Sequence, residues 1–184
     1  MSRTREHEIL QRARRLEHQA LVDIYDQYNP GLYRYAARLL GNADLAEECV
    51  AEVFCRLLDV LQNGKGPRDN LQAYLYRIAH NWITDRWRCH VTLNIPSDPD
   101  GSEYSTEDFT DEMPDPSDQA KLRQALTRLT PDQRQVIMLR FYEDWDNKEI
   151  ALALGKPTGA IKALQHRAVV TLRQILLDGK SYRE

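Results

Sequence analysis

The chain is short of the features that mark membrane, secreted and metal-dependent proteins. None of its 184 residues lies in an apolar run approaching the roughly 18 that a membrane-spanning helix needs. No apolar core backs Met1-Ser2-Arg3-Thr4-Arg5-Glu6-His7-Glu8, so no signal peptide is expected. The three cysteines, Cys49, Cys55 and Cys89, form no CxxC pair. Reduced thiols in a soluble cytoplasmic protein are the expectation, with Cys49 and Cys55 buried. The histidines His7, His18, His80, His90 and His166 lie far apart. With no HExxH and no GxxxxGK[ST], neither a metal site, a cofactor nor an enzyme activity is expected. No segment alternates with period two long enough for a strand, and no repeat has solenoid spacing. Basic charge is also short: 25 Lys and Arg stand against 28 Asp and Glu, a formal net charge of −3. Taken whole, that balance argues against a nucleic-acid binder. What remains, 42% hydrophobic and 29% charged residues, is globular composition.

The net charge hides an uneven distribution. Residues 92–118 read TLNIPSDPDGSEYSTEDFTDEMPDPSD, with nine acids, four prolines, one glycine and no lysine or arginine. Such a stretch predicts a flexible linker, not a folded unit. Before it, residues 1–91 carry 13 basic and 12 acidic side chains; after it, residues 119–184 carry 12 basic and 7 acidic. The chain therefore divides into two compact parts, 1–91 and 119–184, joined by an acidic tether, and the second part is basic.

Both parts read as helical, giving an all-α fold of two small helical domains. Ile9, Ala13, Leu16, Ala20 and Ile24 recur at helical spacing, predicting a helix from about residue 5 to Tyr28. Asn29-Pro30 predicts the start of another, through Leu40. Asp44-Leu45-Ala46-Glu47 resembles a capping box before a helix to about Gln62. The glycines and proline of 63–69 predict a loop, and Asn70 a cap for a helix reaching about Cys89. Beyond the tether, Ser117 starts a short helix, and Thr130-Pro131-Asp132-Gln133 opens one to Tyr142. Asp146-Asn147-Lys148-Glu149 opens a third that Gly155 ends, and Thr158 caps the last.

The last two helices, with a glycine in the turn between them, have the form of a helix-turn-helix. Ile150 and Leu154 would pack on Ile161 and Leu164, leaving the second helix to enter a major groove. Its outer face would carry Lys162, Gln165, His166 and Arg167, with Lys156 and Thr158 at its start. Cations bind phosphate, and glutamine or arginine can read base edges. On spacing alone, DNA binding stands level with a three-helix bundle whose charged face is merely solvated.

The residues themselves tip that balance. LTPDQRQVIMLR from Leu129, KEIA from Lys148 and GAIKALQHRA from Gly159 resemble region 4 of extracytoplasmic-function (ECF) sigma factors. LYRYAARLLG from Leu32, DLAEECVAEVFCRL from Asp44, and AYLYRIAHN from Ala73 followed by Asp85-Arg86 resemble region 2 of the same family. Together they span almost the whole chain in the family's order. The chain departs from the common Ser-Arg-Leu-His-Arg at Ala163-Leu164-Gln165-His166-Arg167, which makes Gln165 a candidate base reader.

The resemblance implies a dissociable subunit that takes RNA polymerase to promoters and helps to open them. Region 4 (119–184) would read the minus-35 element through Lys156, Thr158, Lys162, Gln165, His166 and Arg167. Region 2 (1–91) would bind the minus-10 element and capture bases of the opened strand. Its candidates are Lys65, Arg68, Asn70, Tyr74, Arg77, His80, Asn81, Arg86, Trp87 and Arg88, with the loop 63–70 discriminating a flipped base. Trp82 keeps core spacing with Ile78 and Ala79. Asp44, Glu47, Glu48, Glu52, Phe54 and Arg56 would dock on core polymerase. The linker's carboxylates would suit a positively charged RNA channel. Expected partners are core RNA polymerase, promoter DNA and an anti-sigma factor. The alternatives are a sigma-like decoy that binds an anti-sigma factor, and a stand-alone helix-turn-helix regulator.

Overall fold

The computed structural model describes residues 3–92 and 116–178. The linker expected at 92–118 lies almost wholly outside the described residues. Among those described, the chain is all-α: α1 (Arg3–Arg14), α2 (His18–Leu40), α3 (Ala43–Gln62), α4 (Leu71–Thr92), α5 (Pro116–Thr127), α6 (Pro131–Phe141), α7 (Asn147–Leu154) and α8 (Thr158–Asp178).

The N-terminal helices differ from expectation twice. The helix expected to run to Tyr28 breaks after Arg14, where Leu16 turns left-handed at φ 58. The turn closes through Leu16 N–H to Ala13 O (2.9 Å) and Glu17 N–H to Arg12 O (3.2 Å). Periodicity does not reveal the break, because buried Ala13 and Ala20 are seven residues apart, two turns on either reading. The second difference is Pro30, expected at a helix start but lying inside α2. The buried stripe of Ala20, Ile24, Tyr28, Leu32, Tyr35, Ala36 and Leu39 is continuous across it. Burial of that face outweighs the local cost of a proline in a helix.

Two caps also differ. Asn42, not Asp44, caps α3, accepting the Leu45 N–H at 2.8 Å. Asn70, expected to cap α4, is itself left-handed at φ 52. The first N–H of α4, that of Leu71, goes instead to the Glu6 carboxylate of α1 at 2.5 Å. In the C-terminal unit most local signals hold, but Thr158, expected to cap α8, is its first residue, and the carbonyl of Pro157 before it accepts the N–H groups of Ala160 (2.9 Å) and Ile161 (3.2 Å). Thr130 with Gln133 and Asp146 with Glu149 form full capping boxes, and Gly155 ends α7 at φ 63.

One buried core runs through both units. The junction is aromatic and polar. Tyr76 of α4 packs between Tyr35 of α2 and Trp145, at centroid distances of 5.2 and 4.7 Å. Fully buried Gln135 of α6 accepts from the Tyr35 hydroxyl (3.3 Å) and donates to Thr84 Oγ1 (3.2 Å). The Tyr76 hydroxyl donates to Glu143 at 3.1 Å, and Arg38 stands 3.7 Å from the same carboxylate and over the Tyr142 ring.

Gly31 lets α4 come this close to α2. A Cβ there would stand 2.8 Å from the Tyr76 hydroxyl oxygen. In an open helix Gly→Ala stabilises by roughly 0.5–1 kcal/mol. Here the sign reverses: Gly31→Ala should lower the denaturation midpoint, while Gly31→Ser, with the same Cβ, should do no better. A midpoint raised by Gly31→Ala would refute the packing constraint.

His80 of α4 is buried against the C-terminal unit, with Asp132, Lys156, Arg88 and Arg77 around it. Burial lowers its pKa from 6.5 to about 4. Between those values the unfolded chain binds a proton that the folded chain resists. Stability is therefore full above about pH 6.5 and declines as pH falls toward 4. Urea titrations across that window should show a steeper loss for the wild type than for His80→Gln.

Candidate nucleic-acid interface

The helix-turn-helix is α7, the turn at Gly155-Lys156-Pro157, and α8. Asp146 accepts the N–H groups of Lys148 and Glu149 (2.6 and 2.8 Å), which fixes the start of α7. Gly155 sends its N–H back to Ala151 O in the left-handed geometry that glycine adopts without strain. Ile150, Ala153 and Leu154 are buried with Ile161 and Ala168 of α8, and Leu164 packs at the margin. The opposite face of α8 is left in solvent, and Lys162, Ala163, His166 and Arg167 are exposed on it. Arg167 Nε donates to Ala163 O at 3.3 Å, which lays its side chain along the helix. Gln165 and Thr158 are half-buried. Lys156, also half-buried, pairs with Asp132 at 3.0 Å. Of the six residues expected on this surface, Lys162, His166 and Arg167 therefore form its open part.

The second surface is the loop 63–70 with α4. Gly64 at φ 69 turns the chain, and Lys65 N–H returns to Val60 O at 2.8 Å. Gly66 is buried against Leu61, where a Cβ would stand 2.6 Å from a Leu61 methyl. Lys65, Arg68 and Asn70 are exposed, as are Asn81 and Arg88 further along α4. Most of the other expected residues are engaged or partly buried. Arg77 donates to Leu152 O of α7, and His80 is buried beneath the C-terminal unit. Tyr74 is half-buried, and burial raises its pKa. Arg86 stands 4.0 Å from Glu48 and over Trp82 (5.6 Å), while Trp87 lies under Arg134 (5.2 Å). Arg88 pairs with Asp85 at 3.6 Å. Trp82, read as core, is half-buried at the edge of it.

On α3, Asp44, Glu47 and Glu48 are exposed. Glu52 is held by Arg56 at 2.6 Å, and Phe54 meets Tyr25 of α2 at 4.8 Å. Glu48 thus leans toward α4 and Phe54 toward α2. Tyr25 is 46% exposed. Its position off the buried stripe could have suggested it as a surface aromatic. Among the described residues no cluster of His, Cys, Asp or Glu is placed to hold a metal ion. Cys49 is buried as expected, its thiol pushed up to about 12 by burial; Cys55, six residues further and therefore on another side of α3, is exposed against expectation, as is Cys89. Among the described residues no helix is long and apolar enough to cross a membrane.

Two family descriptions match this chain: sigma-70 region 2 over residues 24–91, and sigma-70 region 4 over residues 119–172. The chain is 35% identical over 176 residues to the ECF RNA polymerase sigma factor BldN of Streptomyces coelicolor, covering 93% of this chain and 66% of BldN. It is 32% identical over 158 residues to the ECF RNA polymerase sigma factor SigL of Mycobacterium tuberculosis, covering 84% of this chain and 88% of SigL. Among solved structures it resembles CnrH in complex with the cytosolic domain of CnrY. That likeness has a TM-score of 0.67 at 20% identity, over 94% of this chain and 97% of CnrH, and is one of fold. With both sigma regions matched in order and a relative of known family covered over most of its length, the chain belongs to the extracytoplasmic-function family of RNA polymerase sigma factors.

Proposed function

We propose that this sigma factor directs core RNA polymerase to a defined set of promoters and helps open them, in the cytoplasm where polymerase works. The observation that carries the reading is the exposed, cationic face of α8 behind a well-capped turn, in a chain that also matches region 2. Lys162, His166 and Arg167 would meet the minus-35 duplex, with Lys156 and Thr158 at the phosphates and Gln165 at the edge of the contact. Lys65, Arg68 and Asn70 of the loop would meet the opened minus-10 strand, with Tyr74, Arg77, His80, Asn81, Arg86, Trp87 and Arg88 along α4. Asp44, Glu47, Glu48, Glu52, Phe54 and Arg56 would dock on core polymerase. On this reading residues 1–91 form region 2, 92–118 the linker and 119–184 region 4.

Arg77 and His80 are engaged by the C-terminal unit in the closed arrangement. Their use on DNA requires the two units to separate. A partner that binds the closed form would keep them apart from DNA. An anti-sigma factor is the kind of partner we assign, by likeness to CnrH, whose structure was solved in complex with the cytosolic domain of CnrY. Initiation is not enzymatic chemistry by this chain; the catalysis belongs to polymerase.

Run-off transcription with core polymerase, with and without the chain, tests the function: promoter-specific transcripts should depend on its addition, and their absence would remove the reading. Arg167→Ala should weaken binding to minus-35 duplex by about 1–3 kcal/mol, measured by fluorescence anisotropy. An unchanged affinity would take Arg167 out of the base contact.

A further inference from the structure

The loop 63–70 is held at both ends by α1, a helix that lies before the first residue of the region 2 match. At its near end Arg14 Nη2 donates to Gly66 O at 2.8 Å and to Pro67 O at 2.9 Å. At its far end the Glu6 carboxylate accepts the Leu71 N–H at 2.5 Å. Between these points, among the described residues, 66–69 make no backbone–backbone hydrogen bond. The loop's own ladder stops at Lys65 N–H to Val60 O and resumes at Tyr74 N–H to Asn70 O. A loop of this length with so few internal bonds would sample many conformations if left alone. Yet its backbone is tightly placed: Gly66 is pressed on Leu61, and Asn70 is left-handed.

Arg14 is half-buried, and its two carbonyl partners are adjacent residues, so one planar guanidinium fixes the direction of two consecutive peptide groups. Glu6 fixes the other end by standing where the N-terminal charge of α4 favours an anion. Both side chains come from a helix seated in the core through Ile9, Leu10 and Ala13. Discrimination between bases is a difference of contact energies, and it is lost when a loop can readjust to the wrong base.

We propose that Arg14 and Glu6 are positioning residues for minus-10 discrimination: α1 clamps the loop 63–70 at both ends so that its exposed side chains meet one base in one geometry. The proposal rests on the reading of that loop as the base-discriminating element. The test uses the full chain with core polymerase and a promoter set carrying each single base change in the minus-10 element. The quantity read is the ratio of transcription from the best promoter to that from each mismatched one. Arg14→Ala and Glu6→Ala should each reduce that ratio by about tenfold, with minus-35 duplex binding unchanged. Glu6→Gln, which keeps the accepting oxygen, should restore the ratio. Amide exchange over 66–71 should quicken in both alanine variants and not in Glu6→Gln.

Lys65→Ala and Arg68→Ala separate the two layers of the argument. If they change the ratio while Arg14→Ala and Glu6→Ala leave it at the wild-type value, the clamp is wrong and the loop reading stands. If none of the four changes it, the loop reading fails and the clamp falls with it. Should Arg14→Ala fail to fold, the Glu6 pair decides: equal ratios for Glu6→Ala and Glu6→Gln would overturn the proposal.

Discussion

The structure turns on a set of polar groups buried between two apolar half-cores. Gln135 can satisfy both ends of its amide only when the Tyr35 hydroxyl of α2 and the Thr84 hydroxyl of α4 are within reach. Tyr76 can bury its ring only if its hydroxyl finds Glu143. Apolar contact is non-directional and would tolerate several ways of laying α6 and α7 on α2 and α4. A buried amide or carboxylate tolerates few, because an unpaired polar group costs about 1–3 kcal/mol. These bonds therefore set the register of one unit on the other. In doing so they bring Leu152 to Arg77 and close the C-terminal unit over His80. A seam of this composition is also one that water can replace. The same groups would be hydrated, not orphaned, when the units part, so opening exposes less apolar surface than splitting a wholly aliphatic core would.

The fold was legible where a rule acts within one turn of chain. The capping boxes at Thr130 and Asp146 and the left-handed glycine at 155 depend only on neighbours, and they stand where the sequence puts them. Misreadings came where a distant partner decides. Asn29-Pro30-Gly31 has the local signature of a break, but α2 passes through it because its buried stripe continues and because Tyr76, forty-five positions on, occupies the space that Gly31 leaves. Asn70 has the local signature of a cap, but the carboxylate that serves Leu71 is Glu6, 65 residues away. No window of sequence contains both partners, so no local pattern could have named either pair.

The candidate surfaces divide along the same line. The exposed face of α8 follows from helical spacing once Ile161 and Ala168 are known to face inward. The α4 residues do not follow, since spacing alone cannot show that the other unit covers one side of that helix. The charge balance behaves likewise. The acids that make the whole chain negative are concentrated in 92–118, while the exposed face of α8 carries Lys162 and Arg167 and no acid among residues 162–167. Attraction to phosphate falls off within about 10 Å at ordinary salt, so a phosphate brought to α8 would feel this local face and not the whole-chain sum.

The departure at 163–165 takes on a physical sense in this setting. Leu164 occupies a half-buried position against the core, which leaves Ala163 as the exposed residue between Lys162 and His166. A methyl group there is the smallest side chain that still favours a helix. It permits the backbone of α8 to approach a groove wall closely, and apolar contact with a thymine methyl is among the few readings open to it. Arg167, laid back along the helix onto Ala163 O, spans the same spot. The exposed face is therefore low at Ala163 and bridged there by the Arg167 side chain, with Lys162 beside it. On the proposed reading Arg167 would leave the Ala163 carbonyl to reach a base edge, at the small cost of a single exposed contact of 3.3 Å.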